Sequence, residues 1–305
     1  MLKKQQLEQI ENWLMNNARP LEIAKWNHLW KKGTAEDLIG EMVKYQNPDG
    51  GFGNGFEPDI LTPQSTAISS AEAIFTAYEY DLDLSEDWSK KMMGWFQKTV
   101  SKTPSFWEAV PSSVEDYPHP PWWNYRPDTE FSPNPCAIVA SMFLRFGTHS
   151  QKELGEEVAK RCVDFLLKDK NYYEHDTYCL QKLFLALMEG KSSLITGKVI
   201  AVMKERVIKG ASTDRKQWME YVSQPLDMVD GRDSHWYGCL EDKISDNLDY
   251  WEETLTTDGC WIPNFSWGVD TEISSSVTKQ WTGYLTVKRI KILKSFGRIE
   301  GRSNE

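Results

Sequence analysis

The chain has 305 residues, with 35 lysines and arginines against 45 aspartates and glutamates, so its net charge is −10 at pH 7. No cluster of basic residues is interleaved with aromatic ones, and we therefore expect no binding to nucleic acid. The most apolar run, Cys136 to Leu144, is less than half as long as a bilayer span, so we expect no integral membrane segment.

The two ends of the chain and its cysteines favour a cytoplasmic protein with one domain. Residues 1–17 have the spacing of an amphipathic helix and lack the apolar core of a signal peptide. The five cysteines include no Cys-x-x-Cys pair, which is typical of reduced thiols rather than of a disulfide framework. Residues 299–305 begin with Ile-Glu-Gly-Arg, a protease site used in recombinant expression, so we set them aside as a tail and expect a single domain over residues 1–298.

Apolar residues recur with helical spacing along most of the chain, and no segment alternates as a strand would. The first four predicted helices lie within residues 7–14, 38–45, 68–78 and 88–96. A break from Thr103 to Pro133 follows, and it is too rich in proline for regular structure. Six more helices are predicted over residues 136–146, 153–168, 177–188, 194–208, 236–253 and 274–296. The pattern predicts an all-α protein built from helical pairs.

A glycine-rich turn follows the second of these helices. Asp49-Gly50-Gly51 permits a positive φ that ends the helix carrying Tyr45, and Pro63 predicts the first turn of the next helix. The same order of residues returns near the other end of the chain, where Asp258-Gly259 is followed by an aromatic residue and a second glycine. The turn is therefore predicted to be one copy of a repeated hairpin.

Four predicted helices are each preceded by a triplet in which two acidic residues flank a third residue. The triplets begin at residues 57, 128, 174 and 270. The interval between the second and third triplets has the length of one helical hairpin, and the interval between the third and fourth has the length of two. One hairpin in that last interval would therefore lack a triplet, and it would carry the segment Asp227 to Asp233 in the corresponding place. The first interval suits one hairpin together with the proline-rich break.

The segment Gln46 to Gly53, which reads QNPDGGFG between two predicted helices, resembles the glutamine-aromatic repeat of squalene cyclases, terpenoid cyclases and protein prenyltransferase β subunits. It also resembles small bacterial squalene-cyclase-like or prenyltransferase-like proteins of unestablished activity. The resemblance implies an α/α toroid, a barrel of antiparallel helical hairpins around a central cavity that takes a small-molecule ligand. It further implies that the helix of residues 7–14 contacts the helix of residues 274–296 and that the acidic triplets surround the cavity.

The acidic triplets suggest acid catalysis. Terpenoid cyclases use motifs with consecutive aspartates, and this chain has none. Carboxylates that converge on a cavity repel one another, which raises some pKa values and produces a general acid beside an ionised base. The alternative is that each acid only caps a helix. The candidate catalytic acids are Glu57, Asp59, Asp128, Glu130, Asp176, Asp270 and Glu272.

Aromatic residues are abundant, with 14 Trp, 12 Tyr and 12 Phe, and several lie close to the triplets. An acidic cavity with aromatic faces suits a carbocation-like transition state or a sugar. We expect an enzyme that acts on a small isoprenoid-like molecule; the alternatives are a glycan-acting α/α-barrel enzyme and a non-catalytic toroid that binds a ligand or a protein. The loop from Thr103 to Pro133 is expected to be ordered across one mouth of the toroid. The candidate substrate-binding residues are Trp107, Trp122, Trp123, His175, Trp261, Trp267 and Trp281.

Zinc is the one cofactor that the sequence raises. The segment Tyr172 to Leu180 is similar to the histidine segment of protein prenyltransferases, with His175 in the ligand position, and Cys260 belongs to an Asp-x-Cys pair. That pair follows the histidine instead of preceding it, and a histidine before a helix more often caps or packs than binds metal. We therefore expect no metal and no other cofactor.

Overall fold

The computed structural model describes residues 1–101, 105–127, 130–269 and 271–300, and this part of the chain is helical with no strands, which confirms the all-α class. The α-helices are α1 (Lys4–Asn17), α2 (Pro20–Leu29), α3 (Ala35–Met42), α4 (Ala67–Glu79), α5 (Asp87–Thr99), α6 (Pro133–Phe146), α7 (His149–Lys168), α8 (Glu174–Glu189), α9 (Gly197–Gly210), α10 (Pro225–Met228), α11 (Tyr237–Glu253) and α12 (Glu272–Ser295). Short 3₁₀ turns cover Val43–Tyr45, Ser112–Asp116, Pro121–Trp123 and Arg215–Met219. Within these residues no helix has the length and apolar character that crossing a bilayer requires.

The start of α4 differs from the prediction. The helix begins at Ala67, and the hydroxyl of Thr66 accepts a hydrogen bond from the backbone N–H of Ser69 at 3.0 Å, which is the contact of an N-cap. The prediction of a start near Pro63 is wrong because the preceding residues belong to the turn, where Asn54 N–H donates to the carbonyl of Thr62 at 2.9 Å.

Backbone contacts divide the chain into two compact units. The middle unit contains Met42–Arg206, and the terminal unit contains Met1–Glu41 together with Val207–Glu305. The single domain expected over residues 1–298 stays a prediction.

The middle unit is organised around α6. Its sequence from Cys136 to Phe143 is apolar on all sides except for one serine, and every one of these residues is buried, because α4, α7 and α8 all pack on this helix. Gly155 of α7 allows the close approach, since an added Cβ would lie 3.1 Å from the Cβ of Phe143. Of the consecutive pairs that the predicted hairpins would form here, α6 and α7 pack on each other; hairpin packing of α4 with α5 and of α8 with α9 stays a prediction.

The glycine-rich turn that precedes α4 lies directly against α5, where the side-chain amide of Gln46 donates to the carbonyl of Trp88 at 2.8 Å. Gly50 has φ of +102°, and a Cβ there would lie 2.4 Å from the carbonyl oxygen of Lys91 in α5. Two backbone hydrogen bonds close the turn: Asn47 N–H donates to Gly51 O at 2.8 Å, and Gly50 N–H donates to Asn47 O at 2.9 Å. Phe52 is fully buried behind it. The glycine is therefore required both by its backbone angle and by the helix that touches it.

The terminal unit brings the two ends of the chain together. Helices α1 and α2 pack on α12, which confirms the predicted contact between the first and last helices. Leu2 and Ile299 form a parallel bridge, and Leu2 N–H donates to the carbonyl of Arg298 at 2.8 Å. Ile299 is buried, so the tail that the sequence analysis set aside is part of the packed structure at its first residue.

The turn before α12 repeats the geometry of the turn before α4. Thr256 N–H donates to Cys260 O, and Gly259 N–H donates to Thr256 O, both at 3.1 Å. Gly259 has φ of +85°, and an added Cβ would lie 2.6 Å from the carbonyl carbon of Gln9 in α1. The predicted recurrence of the turn is thus present in the backbone, with α1 taking the place beside α12 that α5 takes beside α4.

Candidate functional site

The proline-rich break, where the structure describes it, is packed against the first acidic triplet. Val110 and Val114 of the break form a buried apolar cluster with Ile60 and Ile68. Ile68 also donates its backbone N–H to the carbonyl of Ala109 at 3.1 Å. Residues 105–127 of the break are therefore packed beside the residues that follow Asp59, and the position of the loop across one mouth of a toroid stays a prediction.

This packing places Trp122 on the carboxylate of the first triplet. The indole Nε1 of Trp122 donates to Oδ2 of Asp59 at 3.2 Å. Asp59 is only 3% exposed, whereas Trp122 is 47% exposed, so the indole reaches from the surface to a buried acid. Glu57 of the same triplet is also buried. Neither acid caps α4, since Thr66 has that role.

Two more side chains of this loop, those of Trp123 and His119, make contacts that fix the conformation of the loop near Trp122. The indole of Trp123 packs against the apolar cluster, and its Nε1 is buried without a hydrogen-bond partner among the described residues. His119, which the sequence analysis did not select, has Nδ1 at 2.7 Å from the carbonyl of Tyr117 and Nε2 at 3.2 Å from Oδ1 of Asn124. These contacts hold the loop in shape around Trp122.

The second and fourth triplets are different from the first. Glu130 and Glu272 are exposed, and Asp128 and Asp270 lie outside the described residues. Hydroxyl side chains cap the helices that follow: Ser132 accepts from the N–H of Asn134 at 3.1 Å, and Thr271 accepts from the N–H of Ser274 at 3.1 Å. Glu272 lies in the first turn of α12, where a negative charge favours the helix dipole.

In the third triplet, Asp176 of α8 contacts residues of two other helices, α6 and α9. Its Oδ1 accepts from the hydroxyl of Ser132 at 2.7 Å and from the backbone N–H of Asn134 at 3.1 Å. Arg206 of α9, only 1% exposed, lies 3.9 Å from the other carboxylate oxygen. Arg206 also donates to Oδ2 of Asp169 at 2.8 Å and to the hydroxyl of Thr177 at 3.0 Å. The contacts of Asp176 are therefore those of a structural acid that links α6, α8 and α9.

The two acids beside Arg206 have opposite pKa shifts. Burial raises the pKa of Asp176 above its ordinary value, and the hydrogen bond from Ser132 and the charge of Arg206 only partly offset this effect. Burial also acts to raise the pKa of Asp169, but the hydrogen bonds from Arg206 and Asn171 outweigh it and hold that pKa below its ordinary value. Arg206 thus stabilises the ionised form of Asp169 more than that of Asp176.

Two of the candidate indoles are core residues. Trp107 is buried and donates Nε1 to the carbonyl of Phe96 at 2.8 Å. Trp261 is buried and donates Nε1 to the carbonyl of Trp251 at 2.8 Å. Trp107 thus connects the segment before α6 to α5, and Trp261 connects the segment before α12 to α11. Their aromatic faces are covered by protein.

The remaining candidate indoles of the terminal unit, Trp267 and Trp281, are half-buried. Trp281 belongs to a row of aromatic rings in edge-to-face contact, with centroid distances of 5.6 Å for Tyr221 to Phe265, 5.4 Å for Phe265 to Trp281 and 5.1 Å for Trp281 to Tyr284. We call these four residues the aromatic row. A cavity of about 420 Å³ lined by Ser266, Gly268, Val269, Ser274, Ser275 and Thr278 lies in the same unit.

The residues considered for zinc do not form a cluster. His175 is exposed and contacts the ring of Tyr178 at 5.9 Å, and the thiol of Cys260 lies 3.3 Å from the hydroxyl of Thr256. Among the described residues no group of three or more His, Cys, Asp or Glu side chains could hold a metal ion. All five cysteines are free thiols.

No family model, curated protein or solved structure matches the chain. The chemistry must therefore be argued from the residues themselves. In the middle unit they bring a buried carboxyl group and a half-exposed indole into direct contact, and such a pair can bind a ligand on the indole face while the acid lies within reach.

Proposed function

We propose that the protein is an α/α-toroid enzyme that binds a small isoprenoid-like molecule beside Trp122 and acts on it by acid catalysis through Asp59. The observation that carries the proposal is the 3.2 Å contact between the exposed indole and the buried carboxyl group. An aromatic face stabilises positive charge that develops on a ligand carbon, and the adjacent acid supplies the proton that generates this charge.

The toroid part of the proposal is supported by the two glycine turns. Gly50 touches α5, the helix that follows α4, and Gly259 touches α1. In a closed ring of hairpins the helix that follows α12 is α1, so the same contact recurs where the ends of the chain meet. Each hairpin buries its apolar face only against its neighbours, and closure removes the two open ends.

The proposed reaction consumes no second substrate. The carboxylic acid of Asp59 gives its proton to an alkene carbon, and the π electron pair of the alkene forms the new C–H bond. The resulting cation loses a proton from a neighbouring carbon, and that proton returns to the carboxylate. The net result is an isomerisation. If a second double bond of the same molecule first gives its π electron pair to the cation, a C–C bond forms and the result is a cyclisation; in both cases Asp59 ends in the form in which it began.

A second candidate function is supported by the aromatic row. Rows of half-exposed rings bind the apolar faces of sugars, and the cavity in the same unit is lined by hydroxyl groups that can exchange hydrogen bonds with a polyol. This arrangement favours a glycan as ligand, bound in the terminal unit rather than beside Asp59.

Thermal-shift titrations with two probes separate the candidates. Farnesol is expected to raise the melting temperature of the wild type saturably, by roughly 5 °C at about 100 times its Kd. Trp122→Ala should abolish this shift, and Tyr221→Ala, the matched control in the aromatic row, should keep it. A saturable shift with maltohexaose that is lost in Tyr221→Ala supports the second candidate. If farnesol gives no saturable shift in the wild type, the isoprenoid assignment is wrong.

A further inference from the structure

The middle unit contains a large cavity beside the C-terminal ends of α4, α6 and α8. It has a volume of about 1170 Å³ and is lined by residues from these three helices, from α7 and from the loops that follow α4 and α8. Pockets for small ligands usually have volumes of about 300–1000 Å³, so this cavity has room for one. We call it the end groove.

Apolar side chains that reach the solvent line the end groove. Phe146 at the end of α6 is 44% exposed, and Leu144, Leu185 and Leu194 are half-buried. A single exposed apolar side chain is ordinary on a protein surface, whereas several that line one concave site are typical of a place where an apolar ligand binds.

A salt bridge gives the end groove an ordered wall. The guanidinium of Arg145 donates to both carboxylate oxygens of Glu189 at 2.8 Å, and it lies 5.1 Å from the ring centroid of Tyr78. The hydroxyl of Tyr78 lies 3.1 Å from that of Ser141. These contacts connect the end of α6 to the ends of α4 and α8, so the groove is preformed, and the charges of Arg145 and Glu189 neutralise each other.

The remaining charged residues leave one positive charge in excess in the end groove. Lys152 and Lys160 of α7 line it with Glu156 between them, and Lys182 of α8 and Asp81 complete the set. The chain as a whole has a net charge of −10, so the excess of lysines is a local feature. An apolar surface beside one surplus ammonium group complements a molecule that has an apolar chain and a single negative charge.

We infer that the end groove binds a monoanionic single-chain amphiphile of the fatty-acid type. Its hydrocarbon chain lies against Phe146 and the half-buried leucines, and its carboxylate lies beside the lysines of α7 and α8. Side chains from four helices surround the groove, which suits a small ligand better than the flatter surface of a protein partner. The site shares no residue with Asp59 and Trp122, so the inference does not depend on the proposed reaction.

Calorimetric titration with three amphiphiles below their micelle concentrations tests the inference. Decanoate should bind saturably, and octanoate should bind roughly tenfold more weakly, because it has two methylene groups fewer to bury. Decyltrimethylammonium has the chain length of decanoate and the opposite charge, and it should bind at least about fivefold more weakly than decanoate. No saturable binding of decanoate, or tighter binding of the cation, overturns the inference.

Two pairs of variants locate the chain and the head group. Phe146→Ser should weaken decanoate binding at least about fivefold, whereas Ile208→Ser, which removes an apolar side chain of α9 that is 45% exposed outside the groove, should not. Lys152→Gln combined with Lys160→Gln should remove most of the preference for the anion. The control combines Lys198→Gln with Lys204→Gln, at two exposed lysines of α9, and should keep the preference.

Trp122→Ala separates this site from the proposed isoprenoid site. Decanoate should bind to Trp122→Ala as it does to the wild type. If decanoate binding is lost in Trp122→Ala and kept in Phe146→Ser, the amphiphile binds beside Asp59 and the inference is wrong. Equal decanoate affinities of the wild type and Phe146→Ser contradict it as well.

Discussion

Trp122 donates its indole N–H to Oδ2 of Asp59 across 63 positions of sequence, and it joins the proline-rich loop to the first acidic triplet. The carboxyl group is buried, so the loss of this donor leaves an acceptor that water reaches poorly. We expect Trp122→Phe to lower the free energy of unfolding by about 1–3 kcal/mol. Asp59→Asn keeps an acceptor oxygen and should change it by less than about 1 kcal/mol.

Urea unfolding of the wild type, both single variants and the double variant checks this contact. The two substitutions should be coupled by more than about 0.5 kcal/mol, as is usual for residues in direct contact. Additive effects would show that the indole and the carboxylate do not interact in solution.

The hydroxyl of Thr66, rather than an acid of the triplet, caps α4. Thr66→Ala should therefore lower the free energy of unfolding by about 1–2 kcal/mol, whereas Thr66→Ser, which keeps the hydroxyl, should lower it by much less. Thermal and urea unfolding give both values. If Thr66→Ala is neutral and Asp59→Ala, which removes the acceptor, is damaging while Asp59→Asn is not, the first triplet caps the helix instead.

The glycines of the two matching turns should resist substitution for the same reason. Alanine at Gly50 or Gly259 would adopt a left-handed backbone angle and place its Cβ within 3 Å of the backbone of a neighbouring helix. We expect each change to lower the free energy of unfolding by more than about 1 kcal/mol.

Gly94 supplies the control for the turn glycines. It lies inside α5 with nothing within 4 Å of an added Cβ, so Gly94→Ala should stabilise the protein by about 0.5–1 kcal/mol through helix propensity. A comparison of the three melting temperatures checks the prediction. Equal effects at all three positions would contradict the structural difference between turn and helix glycines.

Asp169 and Asp176 should respond to pH in opposite directions. The pKa of Asp169 is below its ordinary value in the folded protein, so its stabilising contribution is present above about pH 3.9 and is lost as the pH falls through the folded pKa. The pKa of Asp176 is raised, so the folded state takes up a proton first. Its ionisation therefore destabilises the fold above the raised pKa, and acidification towards about pH 3.9 relieves this effect.

Both contributions to stability can be measured by urea unfolding of the wild type, Asp169→Asn and Asp176→Asn between pH 7 and pH 3. The advantage of the wild type over Asp169→Asn should shrink at the acid end of this range. Relative to Asp176→Asn, the wild type should gain stability as the pH falls. If the difference in free energy of unfolding between the wild type and each variant stays constant with pH, the assigned pKa shifts are wrong.

The sequence predicts the helices whose apolar residues recur with simple helical spacing. It does not predict α2, and the reason lies in the buried face of that helix. Its buried face includes Glu22 and Lys25, and Glu22 is buried because Arg19 donates to both of its carboxylate oxygens, at 2.8 Å and 2.7 Å. A charged residue on the inner face hides the apolar spacing by which a helix is recognised. The start of α4 was missed because Pro63 and Thr66 are both helix-start signals, and only the hydrogen bonds of the turn decide between them.

The candidate site was predictable in its residue types but not in its pairings. The abundance of acids and indoles near the breaks indicated where to look. The spacing of these residues along the sequence does not predict that Trp122 contacts Asp59, or that Trp107 lies in the core beside Phe96. The position of the loop depends on the packing of Val110 against Ile60, which only the folded structure shows. The structural role of Asp176 could not be predicted either, because its partner Arg206 lies on another helix and belongs to no local sequence motif.

The proposed chemistry is tested most directly by deuterium transfer from solvent. Wild-type protein and Asp59→Asn are incubated with farnesol in deuterium oxide, and the recovered isoprenoids are examined by mass spectrometry for deuterium bonded to carbon. Acid catalysis by Asp59 predicts a product that contains deuterium on carbon with the wild type and none with Asp59→Asn, although both proteins remain folded. Equal incorporation by the two proteins, or saturable farnesol binding by the wild type without any incorporation, would contradict the proposal that Asp59 protonates an isoprenoid.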